Sequence, residues 1–209
     1  MTNVIIVDDQ NMSRQLFESI IKSSENYQLL FALDKPDFLD VYLSKYNVDL
    51  IIMDVVIQNG TDGLTAAAKI KEQYPGVKIV IVTSMPEVGY IKKAKEIGID
   101  SFWYKEVQDA PILEVLDRTM AGERVYPDKT PETKIGNAMN YEFTDAEILV
   151  LRELTTGASN QEIAERLFIS ANTVRTHITH MLEKTGFDNR TELGIEARLS
   201  GMVIKNQDQ

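Results

Sequence analysis

Through about residue 121 the chain alternates between short β-branched runs and stretches whose apolar positions recur at helical spacing. The runs are Val4–Val7, Tyr27–Leu33, Asp49–Met53, Val77–Thr83 and Ser101–Tyr104, and the helical stretches fall near 13–23, 36–45, 63–73, 87–97 and 107–120. Runs that stay apolar without alternation belong to strands buried on both faces, and helices between them make the sheet parallel. Five such units predict an α/β domain over residues 1–121, a five-stranded doubly wound parallel sheet.

Beyond it the pattern changes. Residues 122–140 hold two prolines and two glycines among scattered charges. They read as a linker, with one docked turn near Val125–Tyr126. From 141 to 206 only helical spacing remains. Thr144 with Glu147, and Ser159 with Glu162, stand at the capping-box spacing, in which hydroxyl and carboxylate satisfy each other's exposed backbone amides. The helices they start bury Ile148, Leu151 and Leu154, then Ile163, Ala164 and Leu167. A break at Phe168-Ile169-Ser170 leads into Ala171–Lys184, whose Val174, Ile178, Met181 and Leu182 form one stripe, and a last helix follows around 191–200. This predicts a small all-α four-helix domain containing a helix-turn-helix.

Composition narrows the class. With 209 residues, 44% of them apolar, the chain can build two cores. No apolar run approaches the roughly 20 residues that span a bilayer, and no secretory signal is visible. Cysteine is absent, which excludes disulfides and thiolate metal sites. The expectation is a soluble cytoplasmic protein with no membrane partner. Net charge is −10, so a nucleic-acid partner has to be held by a local patch and not by a general basic field.

In a doubly wound sheet, ligands collect at the carboxyl ends of the strands. Those ends carry Asp8 and Asp9, Asp54, Thr83 and Lys105. Two unit charges about 4 Å apart repel by about 4 kcal/mol at an effective dielectric near 20. Three carboxylates gathered there call for a cation, and an all-oxygen set points to Mg2+. A carboxylate can attack phosphorus and become an acyl phosphate, while a divalent metal, a lysine and a hydroxyl hold the phosphoryl oxygens. Singly, each Asp reads as a helix cap and Lys105 as a solvated charge. All five at the right strand ends favour a site.

With Asp8-Asp9, Asp54 in "LIIMDVV", Thr83 in "VIVTS" and Lys105 in "SFWYKE", the first 121 residues resemble a two-component receiver domain of flavodoxin-like fold. The resemblance implies Asp54 as phosphoacceptor and Thr83 and Lys105 as its catalytic partners. It implies Mg2+ bound directly by Asp9 and Asp54, through water by Asp8, and by the main-chain carbonyl of Val56. A sensor histidine kinase or a small phosphodonor would supply the phosphoryl group, and Thr83 and Phe102 would be the switch residues. The chain departs from the family at Gln58, where proline is usual, and at Glu106 after Lys105. Its segment to Asp62-Gly63 is one residue longer than usual. Val56 and Met85 occupy positions that flank the phosphate in receivers. Their apolar side chains cannot orient a water, so slow hydrolysis of the acyl phosphate is expected.

Asn172, Arg175, Thr176 and Thr179 share a helix face opposite the apolar stripe, with Thr173, His177, His180 and Lys184 at its edge. Such groups suit groove edges and phosphates, although a solvated polar face looks the same on composition alone. The stretch "FTDAEILVLRELTTGASNQEIAERLFISANTVRTHITHMLEK" is similar along its length to the C-terminal domain of NarL/FixJ (LuxR-type) regulators. The resemblance implies that Arg175, Thr176 and Thr179 face base edges. Ser159, Asn172 and Thr173 would contact phosphates, helped by Lys184 and Arg190. From Tyr141 onward seven Lys and Arg face eleven Asp and Glu, a net of −4, so one copy should bind DNA poorly and a homodimer on paired half-sites is expected.

The chain therefore reads as a response regulator in which phosphorylation of Asp54 controls dimerisation and sequence-specific DNA binding. It is not expected to be an enzyme beyond slow self-dephosphorylation. Two other readings remain. The helical part could work through protein contacts. A haloacid-dehalogenase-like phosphatase would unite similar groups, but it carries Asp-x-Asp after the first strand, where the acids here are adjacent.

Overall fold

The computed structural model describes residues 1–57, 62–84, 86, 88–105 and 111–203. They form two compact units, one from residues 1–84 and 90–129, the other principally from Thr130 onward. In the first, strands β1 (Thr2–Val7), β2 (Tyr27–Leu33), β3 (Leu50–Asp54), β4 (Lys78–Thr83) and β5 (Ser101–Tyr104) alternate with helices. The helices are α1 (Asn11–Lys22), α2 (Leu39–Lys45), α3 (Gly63–Gln73), α4 (Val88–Ile97) and α5 (Ile112–Met120). Every strand pair is parallel, in the order β2-β1-β3-β4-β5.

The strand residues divide between two cores. Ile5, Val7, Ile51, Met53, Ile79, Ile81, Phe102 and Tyr104 meet Leu39, Leu64 and Ala94 of α2, α3 and α4. Their sequence neighbours Val4, Ile6, Leu50, Ile52, Val80, Val82 and Trp103 meet Phe17 and Ile21 of α1 and Val115 and Leu116 of α5. Burial on both faces is why the strands read as unbroken apolar runs. Strand order reverses at β1, with β2 on one side and β3 on the other, and this leaves the crevice at the carboxyl ends of β1 and β3. The expected helix starts at 87 and 107, together with Gln58, Met85 and Glu106, lie outside the described residues.

The second unit opens with an antiparallel pair, β6 (Lys134–Ile135) and β7 (Ala138–Met139), and a 3-10 turn at Asn140–Glu142. Then come α6 (Asp145–Leu154), α7 (Asn160–Leu167), α8 (Ala171–Thr185) and α9 (Arg190–Leu199). Both capping boxes form. Thr144 Oγ1 accepts from the Glu147 amide at 3.2 Å and Ser159 Oγ from the Glu162 amide at 3.3 Å. The two carboxylates accept in return from the Thr144 and Ser159 amides. No helix among the described residues is long and apolar enough to cross a membrane.

The segment expected to be a linker is ordered at both ends. Phe102 N–H donates to the Val125 carbonyl at 2.8 Å and Val125 N–H to Ser101 Oγ at 3.0 Å, so the turn expected at Val125–Tyr126 docks along the outer edge of β5. The β6–β7 hairpin is unexpected. Its Ile135 and Ala138 enter the second core. Gly136 has φ +59°, and a Cβ there would stand 2.2 Å from the Thr185 carbonyl.

Gly63 carries the most direct link between packing and the crevice. Its amide donates to the Val55 carbonyl at 2.9 Å, and a Cβ on it would fall 1.8 Å from the Asp54 carbonyl oxygen. No side chain fits without moving the end of β3. Gly63→Ala is expected to cost about 1–3 kcal/mol, read as a lower urea midpoint at unchanged slope. A variant as stable as the parent would contradict this packing.

Candidate functional site

Asp8 follows β1 directly and Asp54 is the last residue of β3. Both are buried, at 0% and 2% exposure. One carboxylate oxygen from each of Asp8, Asp9 and Asp54 lies within 4.8 Å of the other two. Lys105 Nζ reaches across them, 2.8 Å from Asp8 Oδ2 and 3.0 Å from Asp54 Oδ2. The lysine is held at both ends. Its amide donates to the Thr83 carbonyl at 2.9 Å, and its ammonium stands 5.9 Å from the centre of the Phe17 ring. Thr83 closes β4, the neighbour of β3, and is fully buried. Four of the five residues expected at the strand ends, Asp8, Asp9, Asp54 and Lys105, thus meet in one crevice, and Thr83 ends the strand beside it.

Burial pushes the Asp54 carboxyl up to about 6, the positive charge of Lys105 opposing this and the negative charge of Asp8 adding to it. Burial would lower Lys105, but the two carboxylates outweigh it and hold the ammonium above its ordinary range. One lysine among three carboxylates leaves the crevice negative. The donor set is all carboxylate oxygen, which suits a hard divalent cation such as Mg2+, and the site fits it. Val56, expected to add its carbonyl, follows Asp54 by two residues, with its amide 3.4 Å from Asp54 Oδ1.

The sequence reading missed three residues that orient Asp8. The Ser13 hydroxyl donates to Asp8 Oδ2 at 2.5 Å, Gln10 N–H to Asp8 Oδ1 at 2.9 Å and the Arg14 guanidinium to the Asp8 carbonyl at 2.7 Å. Their position in the first turn after the acids was the available signal. Phe102, expected to be a switch, is buried between Tyr104, with ring centres 5.1 Å apart, and Tyr126, stacked at 6.4 Å. The Tyr126 hydroxyl donates to the Ile99 carbonyl at 2.8 Å.

On α8, Val174, Ile178 and Met181 are buried and Leu182 is partly so, while Asn172, Arg175, Thr176 and Thr179 are exposed. Arg175 makes no ion pair among the described residues. The Thr176 and Thr179 hydroxyls donate to the carbonyls four residues back, both at 3.1 Å, which leaves their lone pairs outward to accept. Ser159 is exposed, and Thr173 is half-buried at the N-terminal end of α8. Lys184 and Arg190, expected to help hold phosphates, make contacts within the helical unit. Lys184 Nζ donates to Glu147 Oε2 at 2.7 Å and to the Glu142 carbonyl at 2.8 Å. Glu147 is buried, and a buried carboxylate requires that partner. Arg190 donates to Asn160 Oδ1 and the Ala158 carbonyl, both at 2.5 Å. Both cations stabilise the helical unit itself.

The raised Asp54 carboxyl has a sign that stability measurements read. Its folded value, about 6, lies above the 3.8 of an ordinary Asp. Its contribution is therefore present below about pH 4 and is lost as pH rises through about 6. In protein stripped of divalent cations, Asp54→Asn should stabilise by up to about 3 kcal/mol at pH 8 and hardly at all near pH 4, followed by urea unfolding. An equal effect at both pH values would contradict the burial and crowding described.

Comparison with known proteins follows the same division of the chain. Residues 4–117 match the family described as response regulator receiver domain, and residues 142–197 match bacterial regulatory proteins, luxR family. Response regulator protein VraR of Staphylococcus epidermidis is 31% identical over 202 residues, covering 93% of this chain and 95% of VraR. Fimbriae Z protein of Salmonella typhimurium is 29% identical over 91% of this chain and 93% of its own length. Among solved structures, a complex of the two-component response regulator RcsB with DNA superposes with a TM-score of 0.60 at 20% identity, over 94% of this chain and 98% of RcsB. At that identity the likeness speaks for the fold. The two family matches and the 31% identity to VraR, which fall on a five-stranded parallel sheet with its acidic crevice and on a four-helix unit, place the chain in the NarL/LuxR-type response regulators.

Proposed function

We propose that a sensor histidine kinase phosphorylates Asp54 and that this controls dimerisation and sequence-specific DNA binding through α8, regulating transcription. The observation that carries the reading is the crevice in which Lys105 bridges Asp8 and Asp54 beside Asp9. An Asp54 oxygen attacks the phosphorus of a phosphohistidine. The new O–P bond forms as the N–P bond breaks, and the imidazole nitrogen leaves with its electron pair. Asp8, Asp9, Asp54 and the Val56 carbonyl would hold Mg2+, which would supply charge neutralisation for the phosphoryl oxygens. Lys105 and the Thr83 hydroxyl take up the remaining oxygens. Their movement, with that of Phe102, biases a pre-existing equilibrium between two receiver states. The half-buried, apolar Val56 gives water no base, so the chain holds its phosphoryl group and at most slowly releases it.

The charge of the helical unit supports dimerisation as the controlled step. With Lys184 and Arg190 engaged internally, Arg175 is the one cation on the exposed face of α8. Ser159, Asn172 and Thr173 are left to meet phosphates, and Thr176 and Thr179 to meet bases. Backbone neutralisation by one copy is therefore weak. Two copies on half-sites about one helical turn apart supply the rest.

The test is duplex DNA selected from a random-sequence pool, followed by anisotropy together with light scattering, with and without Mg2+ and beryllofluoride. Wild type should dimerise and tighten on DNA with the mimic, and Asp54→Ala should respond to neither. Arg175→Ala should lose about tenfold or more in affinity. An affinity indifferent to the mimic in wild type would overturn the regulatory reading.

A further inference from the structure

Asp8 is fully buried and its carboxylate meets only donors among the described residues: Gln10 N–H on Oδ1, and the Ser13 hydroxyl and Lys105 ammonium together on Oδ2. Two donors saturate the lone pairs of Oδ2. The carboxylate is thereby fixed in rotation, with Oδ2 on the same ammonium that meets Asp54. Ser13 stands in the first turn of α1, where a hydroxyl often assists helix capping. Here it is turned to Asp8, and the N-cap residue Gln10 makes no side-chain capping bond. The turn that carries it is rigid. Phe17 and Ile21 anchor α1 in the core, Arg14 N–H donates to the Gln10 carbonyl at 2.9 Å, and the Arg14 guanidinium grips the Asp8 carbonyl at 2.7 Å.

We infer that Ser13 is a positioning residue for phosphoryl transfer, holding the Asp8 carboxylate in its metal-facing orientation through Oδ2. The inference deepens the phosphotransfer reading and rests on it. Its weight grows along the reaction. Lys105 shares Oδ2 with Ser13 in the structure described, and has to give up that bond to reach a phosphoryl oxygen. Asp8 is closed to bulk solvent here, so when the ammonium leaves, the Ser13 hydroxyl is the protein donor that keeps Oδ2 satisfied. An alanine there removes that donor from a buried carboxylate oxygen in the phosphorylated state, and Asp8 is free to rotate away from the cation seat.

Trp103, the only tryptophan, packs edge-on against Phe17 with ring centres 6.2 Å apart, and Phe17 lies beneath the Lys105 ammonium. Its fluorescence therefore reports the site. Mg2+ alone, and then beryllofluoride at saturating Mg2+, are titrated into the full chain as wild type, Ser13→Ala and Ser13→Thr. Ser13→Ala should weaken beryllofluoride binding about tenfold and Mg2+ binding by less, with its metal-free unfolding midpoint close to wild type. Ser13→Thr, which keeps the hydroxyl, should recover most of the loss. The inference is overturned if Ser13→Ala binds the mimic as wild type does. It is equally overturned if threonine fails to rescue, or if the loss is matched by a fall in metal-free stability, since the hydroxyl then serves only the start of α1. If wild type binds neither Mg2+ nor beryllofluoride, the phosphotransfer reading falls, and this one with it.

Discussion

Three carboxylates held within 4.8 Å of one another repel, and the fold prevents them from separating. β1 and β3 are hydrogen-bonded neighbours whose side chains are locked into cores on both faces of the sheet. Fully burying one aliphatic side chain is worth about 1.5–3 kcal/mol, and these strands bury one at nearly every position. That is ample to hold the acids together. Lys105 offsets one of the three negative charges, and burial keeps the Asp54 carboxyl raised despite it. A divalent cation or a phosphoryl group placed in so buried a cluster changes its electrostatics far more than it would change those of a solvated surface.

The helical unit follows a different logic. Its fold rests on an apolar core, two reciprocal capping boxes and two cations turned inward, and α8 is left with a polar face of small hydroxyls, one amide and Arg175. Such a face can discriminate base edges but attracts a polyanion weakly.

Much of this was legible in the sequence because it depends on periodicity and position. Strands buried on both faces leave unbroken apolar runs, and strand ends in a parallel sheet converge whatever lies between them, so Asp8, Asp9, Asp54 and Lys105 could be gathered from their positions alone. The capping boxes are local and were equally readable. Features that depend on contact were not. The β6–β7 hairpin has two-residue strands, too short for any period, and only Gly136-Asn137 marked it. Lys184 and Arg190 sit at helix edges where sequence suggests solvent. Their long stems let the charge reach a buried carboxylate, a carbonyl or an amide instead. The hydroxyl of Ser13 meets Asp8 only because α1 starts at Asn11, and a shift of one residue would have turned it elsewhere.

The central claim is that the crowded acids form a cation seat. Diffraction at the manganese edge from crystals grown with Mn2+, a stand-in for Mg2+ that ligates the same oxygens, tests it most directly. The account predicts one strong anomalous peak in the crevice, within bonding distance of Asp9 and Asp54, with Lys105 still contacting the cluster. A map without a peak there, or carboxylates of Asp8, Asp9 and Asp54 pointing apart, would contradict it.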